Sequence, residues 1–159
     1  MKSRTWARFT AMTLFAALAT TVQPFAQTSP GKIITFNAPG AGKGAGQGTL
    51  ANGINSAGTI MGFYLDTNNI FHGYLRAKDG TFTIIDVPGA GKGAFQGTQA
   101  NSLNADGDIT GIYADSNNVS HGYLRAHDGT ITKFRVPGAG KGAGQGSQPY
   151  DINRAEALA

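Results

Sequence analysis

The sequence predicts an all-β protein made of tandem four-stranded repeats of 49 residues, propeller-blade-like and forming an incomplete propeller. Three observations predict this fold class. The segment Pro-Gly-Ala-Gly-Lys-Gly recurs at positions 39–44, 88–93 and 137–142, and self-similarity at such a period is typical of stacked supersecondary modules. Apolar residues alternate with period two, as in half-buried strands. Glycine accounts for 24 of 159 residues and charged residues for 14%, which favours turn-dense β structure.

Four segments of each copy have strand character. In the first copy they are about Leu50–Asn55, Thr59–Asp66, Ile70–Ala77 and Thr81–Val87. Asn, Asp and Gly residues separate these segments, and such residues favour tight turns. A further leading strand is expected near Ile33–Asn37.

The second strand of each copy indicates which face of the sheet meets the core. Ile60, Gly62 and Tyr64 share one face, and the same set returns as Ile109, Gly111 and Tyr113. The opposite face changes from Met61, Phe63 and Leu65 to Thr110, Ile112 and Ala114. Because the first set recurs unchanged, we expect that face to be the buried one.

The number of copies limits the possible assemblies. The copies span about 35–83, 84–132 and, in part, 133–159, whereas propellers close with about 4–8 blades. Three arrangements remain open: a fragment of a larger propeller, self-association of chains that share blades, or a small open β stack or sandwich.

Residues 1–26 have the layout of a signal peptide. Lys2, Arg4 and Arg8 precede the uncharged apolar stretch Phe9–Val22, and Pro24-Phe25-Ala26 follows it. The stretch is shorter than the ~20 residues that a membrane-spanning helix needs. We therefore expect a secreted or periplasmic/extracellular mature chain, residues 27–159, with no membrane association after cleavage.

Charge and cysteine content exclude some classes of partner and fold. The chain has 13 basic and 9 acidic residues, and three of the basic ones lie in the predicted leader, so ten basic residues face nine acidic ones in 27–159. A balance this even gives no basis for nucleic-acid binding. The chain has no cysteine, so an exported fold must depend on sheet pairing and core burial instead of disulfides.

The repeated glycine-lysine motif looks like a phosphate-binding loop but lacks its essential parts. That loop requires glycine at its first position and a Ser or Thr hydroxyl after the lysine, to reach magnesium. Here the first position is Asn37, Asp86 or Arg135, and only glycine and alanine follow each lysine. We therefore exclude a nucleotide site and expect no cofactor.

Superimposable copies would place their glycine-rich loops on one edge of the assembly. Each loop carries one lysine and one glutamine at matching positions, and these residues form a candidate ligand-binding array: Lys43, Gln47, Lys92, Gln96, Lys141 and Gln145. Extracellular carbohydrate or an acidic polymer would suit such an array. The alternative is a set of flexible connections with solvated lysines.

No metal site or catalytic site is predicted. His72 and His121 occupy equivalent strand positions, and one histidine per copy, without a nearby Cys or second His, indicates a hydrogen-bonded structural residue. Asn104–Asp108 is similar to part of a calcium loop, but the closing twelfth position is Tyr113, so a hairpin turn is the better interpretation. The chain has no Gly-x-Ser-x-Gly elbow.

The repeated motifs resemble those of the HAF family of probable extracellular repeat proteins, found in bacterial secreted proteins and named for a His-Ala-Phe triplet. The matching triplets are His72-Gly73-Tyr74 and His121-Gly122-Tyr123, with Gly-Tyr in place of Ala-Phe. The stretches 53–64 and 79–90 resemble the rest of the family pattern. The resemblance implies export and a propeller-like repeat, and it implies no reaction.

The sequence therefore favours a secreted, repeat-built binding or structural module without a recognisable catalytic site, and a non-enzyme over an enzyme. The alternative function is that of a fragment of a larger extracellular β-propeller enzyme acting on polysaccharide.

Overall fold

The structure, a computed structural model, describes residues 33–155 and 157–159. The predicted signal peptide, residues 1–26, lies outside them. The described residues contain no helix, hence none long and apolar enough to cross a membrane, and their strands form one open eight-stranded sheet. The all-β prediction is confirmed. The strands are β1 Gly48–Ile54, β2 Ile60–Leu65, β3 Phe71–Arg76, β4 Phe82–Ile85, β5 Gly97–Leu103, β6 Ile109–Ala114, β7 Ser120–Arg125 and β8 Ile131–Phe134.

Short polar side chains set the ends of the strands. Asp66 Oδ1 accepts hydrogen bonds from the backbone N–H groups of Asn68 and Ile70, both at 2.8 Å, and so closes the β2–β3 turn. Asn55, Asn104 and Asp115 accept equivalent pairs of bonds in their own turns. Because such bonds satisfy backbone donors that leave the sheet, strands β1 to β4 begin and end within two residues of the predicted bounds.

Two antiparallel meanders make up the sheet. Strands β1 to β4 pair in chain order, and β5 to β8 pair in the same way with registers displaced by 49 positions: Gly62 faces Tyr74, and Gly111 faces Tyr123. A parallel pairing of Phe71 in β3 with Gly97 in β5 joins the two meanders. Strand β3 thus pairs with β5 at its first residue and with β4 along the remainder of its length.

A bulge in β1 explains the glycine in the middle of β2. The register of β1 on β2 shifts between Ala51 and Gly53, and a Cβ at Gly62 would collide with the Leu50 carbonyl oxygen. Tyr74, which faces Gly62 across the β2–β3 pair, donates a 3.0 Å hydrogen bond from its hydroxyl to that carbonyl. Burial raises the pKa of Tyr74 to about 12. The mid-strand glycine is therefore required by close backbone approach.

The core occupies both faces of the second strand in each meander. Tyr64 is buried beside Ala38 and Tyr74, as the sequence predicted for that face. In β6 the predicted face, with Ile109, Gly111 and Tyr113, is the more buried one. In β2 the prediction was wrong in that the opposite face is buried as well, with Met61 fully so. The reason is that β5 packs across β1, β2 and β3, which brings Met61 into one cluster with Ile85, Val87, Ala100, Ile109, Tyr113 and Tyr123.

The predicted leading strand near Ile33–Asn37 was also wrong, because residues 33–38 form no strand. Phe36 instead packs its ring on Tyr74 and Phe82, with ring centroids 6.2 and 6.0 Å away. The Ala38 N–H donates to Thr49 Oγ1 at 2.9 Å. This segment covers the first meander through side chains, and its backbone amide is satisfied by a hydroxyl instead of a neighbouring strand.

The two buried tyrosines allow a matched test of this packing. Tyr74→Phe removes the hydrogen bond to Leu50 and should lower the free energy of unfolding by about 0.5–1.5 kcal/mol. Tyr123, its counterpart, has a buried hydroxyl with no hydrogen-bond partner among the described residues, so Tyr123→Phe should be neutral or stabilising. Urea unfolding of both variants measures the difference, and an equal loss in the two would contradict the geometry.

Candidate functional site

Glutamine side chains hold the glycine-rich loops in place. Gln47 Oε1 accepts a hydrogen bond from Gly44 N at 2.9 Å, while its Nε2 donates to Thr67 O and Asn69 Oδ1 at 3.2 and 3.0 Å. In the second copy, Gln96 makes the same three contacts, with Gly93, Ser116 and Asn118. Each glutamine thus ties its loop to the turn between the second and third strands of the same meander.

The glutamines also account for the glycines on either side of each loop lysine. A Cβ at Gly42 or Gly44 would collide with the amide oxygen of Gln47, and Gly91 and Gly93 stand in the same relation to Gln96. The resemblance to a phosphate-binding loop therefore has a local cause: glycine is needed where the glutamine amide approaches the backbone. The lysine between the glycines is left exposed in every copy.

Loops and turns alternate along one edge of the molecule. The β2–β3 turn, already bound by Gln47, accepts a hydrogen bond at Asn69 O from Phe95 N in the next loop, at 2.7 Å. The β6–β7 turn does the same at Asn118 O, which accepts from Gly144 N at 2.8 Å. We call this edge the loop rim; it comprises loops 39–47, 88–96 and 137–145 with turns 66–69 and 115–118.

The structure distinguishes the members of the predicted array. Lys43, Lys92 and Lys141 are exposed, and none lies within 4.0 Å of a carboxylate oxygen in the described part of the chain. The side-chain amides of Gln47 and Gln96 are engaged in hydrogen bonds within the chain. Gln145 Oε1 accepts a hydrogen bond from Gly142 N at 3.0 Å. Of the six predicted residues, the lysines are therefore the ones whose side chains are exposed without an ion pair in the described residues, whereas the glutamines hold the loops.

His72 lies beside the loop rim, between the carboxylates of Asp66 and Asp86. The sequence analysis did not group these three residues. His72 Nδ1 is 2.8 Å from Asp86 Oδ1, and His72 Nε2 is 3.7 Å from Asp66 Oδ2. The ring stacks on Tyr64 with centroids 4.9 Å apart. Burial acts to raise the pKa of Asp66, but hydrogen bonds from Ile70 and Asn68 outweigh it and hold that pKa below its ordinary value.

The second copy repeats only part of this arrangement. His121 Nε2 lies 3.0 Å from Asp115 Oδ2 and stacks on Tyr113 at 4.8 Å. The hydrogen bonds from His121 and from the Val119 N–H lower the pKa of Asp115. Arg135 stands where the first copy has Asp86. That difference between the aligned copies is the sequence signal that could have marked Asp86 as a candidate site residue.

A cleft of about 500 Å³ opens next to His72. We call it the junction cleft, because its walls come from the first meander and from the segment leading to β5. The lining residues are Asp66, Ile70, Phe71, His72, Asp86, Lys92, Gly97 and residues 87–91. Among residues 33–155 and 157–159, no group of three or more His, Cys, Asp or Glu side chains is placed to hold a metal ion.

Comparison with known proteins identifies no relative: no protein-family model, curated protein or solved structure matches this chain.

The glutamine supports can be tested by a matched pair of substitutions. Gln96 is buried and makes three hydrogen bonds, so Gln96→Ala should lower the free energy of unfolding by about 1–3 kcal/mol. Gln145 is exposed and makes one such bond within the described residues, so Gln145→Ala should change it by no more than about 0.5 kcal/mol. Chemical denaturation gives both values, and a Gln145 variant as destabilised as the Gln96 variant would refute the assignment.

Proposed function

We propose that this protein is a secreted, non-catalytic binding module whose loop rim holds an acidic extracellular polysaccharide. The observation that carries the proposal is the exposure of Lys43, Lys92 and Lys141 on loops whose other polar side chains are engaged internally. Exposed cations held on ordered loops, without internal ion pairs, are available to an anionic partner.

A polymer suits this surface better than a small anion. Each exposed ion pair contributes only about 0.2–1 kcal/mol, so a single lysine binds a free anion weakly. The rim hydrogen bonds place the three loops in succession along one edge, and a chain with regularly spaced negative charges can contact several lysines at once. Linked contacts of this kind raise the overall affinity well above that of one contact.

The exposure of side chains on β1, compared with that on β5, supports a propeller-like arrangement completed by self-association. The β1 residues Leu50 and Ile54 are 46% and 68% exposed, whereas their counterparts Gln99 and Leu103 in β5 are half-buried. Asn52 Nδ2 donates to Ala100 O at 2.8 Å, and Asn101 Nδ2 donates to Pro149 O at 2.9 Å. A further copy of the same kind, supplied by another chain, would cover β1 as β1 covers β5. Membership of the HAF family and export are part of the same proposal.

Removing rim charge should weaken retention of an acidic polysaccharide. Lys43→Ala combined with Lys141→Ala deletes two rim cations and leaves Lys92 in place. Two lost surface ion pairs correspond to roughly 2- to 30-fold weaker binding, and the remaining binding should depend less on salt. Affinity electrophoresis through polygalacturonate, at two salt concentrations, measures both effects.

The matched control removes the same amount of charge from the opposite end of the sheet. Lys78 lies in the β3–β4 turn and Arg154 pairs with Asp106 near the β5–β6 turn. Lys78→Ala with Arg154→Ala should leave retention close to that of the unaltered protein. The proposal fails if the rim variant and the control variant migrate alike, or if polygalacturonate retains neither them nor the unaltered chain.

A further inference from the structure

Two histidines lie beside the turns of the loop rim. His72 and His121 each stack on the tyrosine that faces them from the preceding strand, with ring centroids 4.9 and 4.8 Å apart. Each also faces the aspartate that closes the adjacent rim turn. The distances are 3.7 Å from His72 Nε2 to Asp66 Oδ2 and 3.0 Å from His121 Nε2 to Asp115 Oδ2. The two histidine side chains are 22% and 20% exposed, so both remain in contact with solvent.

The two aspartates keep their negative charge at mildly acidic pH. Burial acts to raise the pKa of Asp66, but hydrogen bonds donated within its own turn lower that pKa overall. The pKa of Asp115 is lowered first by its hydrogen bond with His121. A carboxyl whose pKa lies below its ordinary value of 3.8 stays ionised at about pH 5.5. Each rim turn therefore places a negative charge beside the rim lysines, where it repels an anionic polymer.

His72 has a carboxylate at each of its ring nitrogens. Its Nδ1 lies 2.8 Å from Asp86 Oδ1, and its Nε2 faces Asp66. A neutral imidazole carries one N–H and can donate to only one of the two carboxylates, whereas an imidazolium donates from both nitrogens. Uptake of a proton therefore completes the hydrogen bonding of the ring and offsets one of the two negative charges beside it.

Four further titratable residues of the described chain border the His72 site. Burial first, and then the nearby aspartates, raise the pKa of Tyr64, so its hydroxyl stays neutral at these pH values. Lys92 lines the junction cleft with His72, and Lys133 donates at 3.1 Å to a proline carbonyl in the wall of the same cleft. Lys43 is carried by the loop whose backbone is hydrogen-bonded to the end of β2 at 2.8 Å. A proton on His72 thus adds to an existing group of cations.

Cationic residues also border the His121 site. Lys133 Nζ lies 6.0 Å from the centroid of the Tyr113 ring, on which His121 stacks. Arg135 stands where the first meander has an aspartate, and its guanidinium binds carbonyl oxygens of its own loop. Burial, and then Asp115, raise the pKa of Tyr113, so this hydroxyl stays neutral as well. The negative charge beside His121 is therefore that of Asp115.

We propose that protonation of His72 and His121 strengthens the hold of the loop rim on an acidic polysaccharide as the pH falls. Imidazole is the side chain whose charge ordinarily changes between about pH 5 and 8. Each proton taken up offsets one carboxylate beside the rim and leaves the lysine charges unchanged. The bound polymer in turn favours the protonated rings, since binding and proton uptake are linked. This inference rests on the proposed function and adds its regulation by pH.

His72→Gln combined with His121→Gln provides the test. Glutamine still forms hydrogen bonds but takes up no proton, so at about pH 7.5 the variant should bind polygalacturonate as the unaltered chain does. At about pH 5.5 the unaltered chain should bind roughly 2- to 30-fold more tightly than the variant, because two added charges contribute about 0.2–1 kcal/mol each. Equilibrium binding to immobilised polygalacturonate at both pH values gives the two ratios, and titration of the polymer itself cancels within each ratio.

Two further variants separate charge from structure. His127→Gln is the matched control, because His127 is 73% exposed in the β7–β8 turn, at the opposite end of the sheet, and it should bind as the unaltered chain does at both pH values. Asp86→Asn removes a carboxylate of the junction cleft at every pH. It should strengthen binding at about pH 7.5 by roughly 1.4- to 5-fold.

The inference is overturned if the double histidine variant matches the unaltered chain at both pH values. It is also overturned if that variant binds more weakly by the same factor at both, since such a loss marks a structural role. Failure of polygalacturonate to bind the unaltered chain at either pH would instead contradict the proposed function itself, and this inference with it.

Discussion

The packing of β5 across β1, β2 and β3 is the interaction on which the rest of the structure depends. It buries Met61 completely and joins it to Ala100 and Tyr123 in one apolar cluster. The opposite face of the first meander is covered by the preceding segment, through Phe36 and Ala38. A meander with two apolar faces cannot bury both within itself, so each copy depends on its neighbours for stability.

The same packing creates the candidate sites. Since β5 begins beside Phe71, the loop that precedes it must pass over the β2–β3 turn, and the hydrogen bond from Phe95 N to Asn69 O follows from that path. Repeating the junction repeats the loop rim, which gives a row of similar charges. The two junctions carry different side chains, since Asp86 and Phe95 at the first are replaced by Arg135 and Gly144 at the second. The backbone thus supplies a regular support, and the substituted side chains distinguish the first junction from the second.

Local chemistry explains what could be predicted from the sequence. Period-two alternation and the Asn, Asp and Gly turns located β1 to β4, because both signals arise within a few residues of chain. Alternation tells which residues share a face but not which face another strand covers, so the burial of Met61 could not be inferred. The supporting role of Gln47 depends on a turn about 20 residues further along. Phe95 stands where the other two loops have glycine, but its left-handed backbone and its contact with the Phe71 ring are known only from the structure.

Native-state hydrogen exchange, followed by mass spectrometry, tests the mutual burial of the two meanders most directly. If each meander depends on the other, the amides of β2 and β3 should exchange in one slow cooperative class with those of β5 and β6, while the exposed strand β1 exchanges faster. Two classes, in which β1 to β4 open together and independently of β5 to β8, would contradict the account.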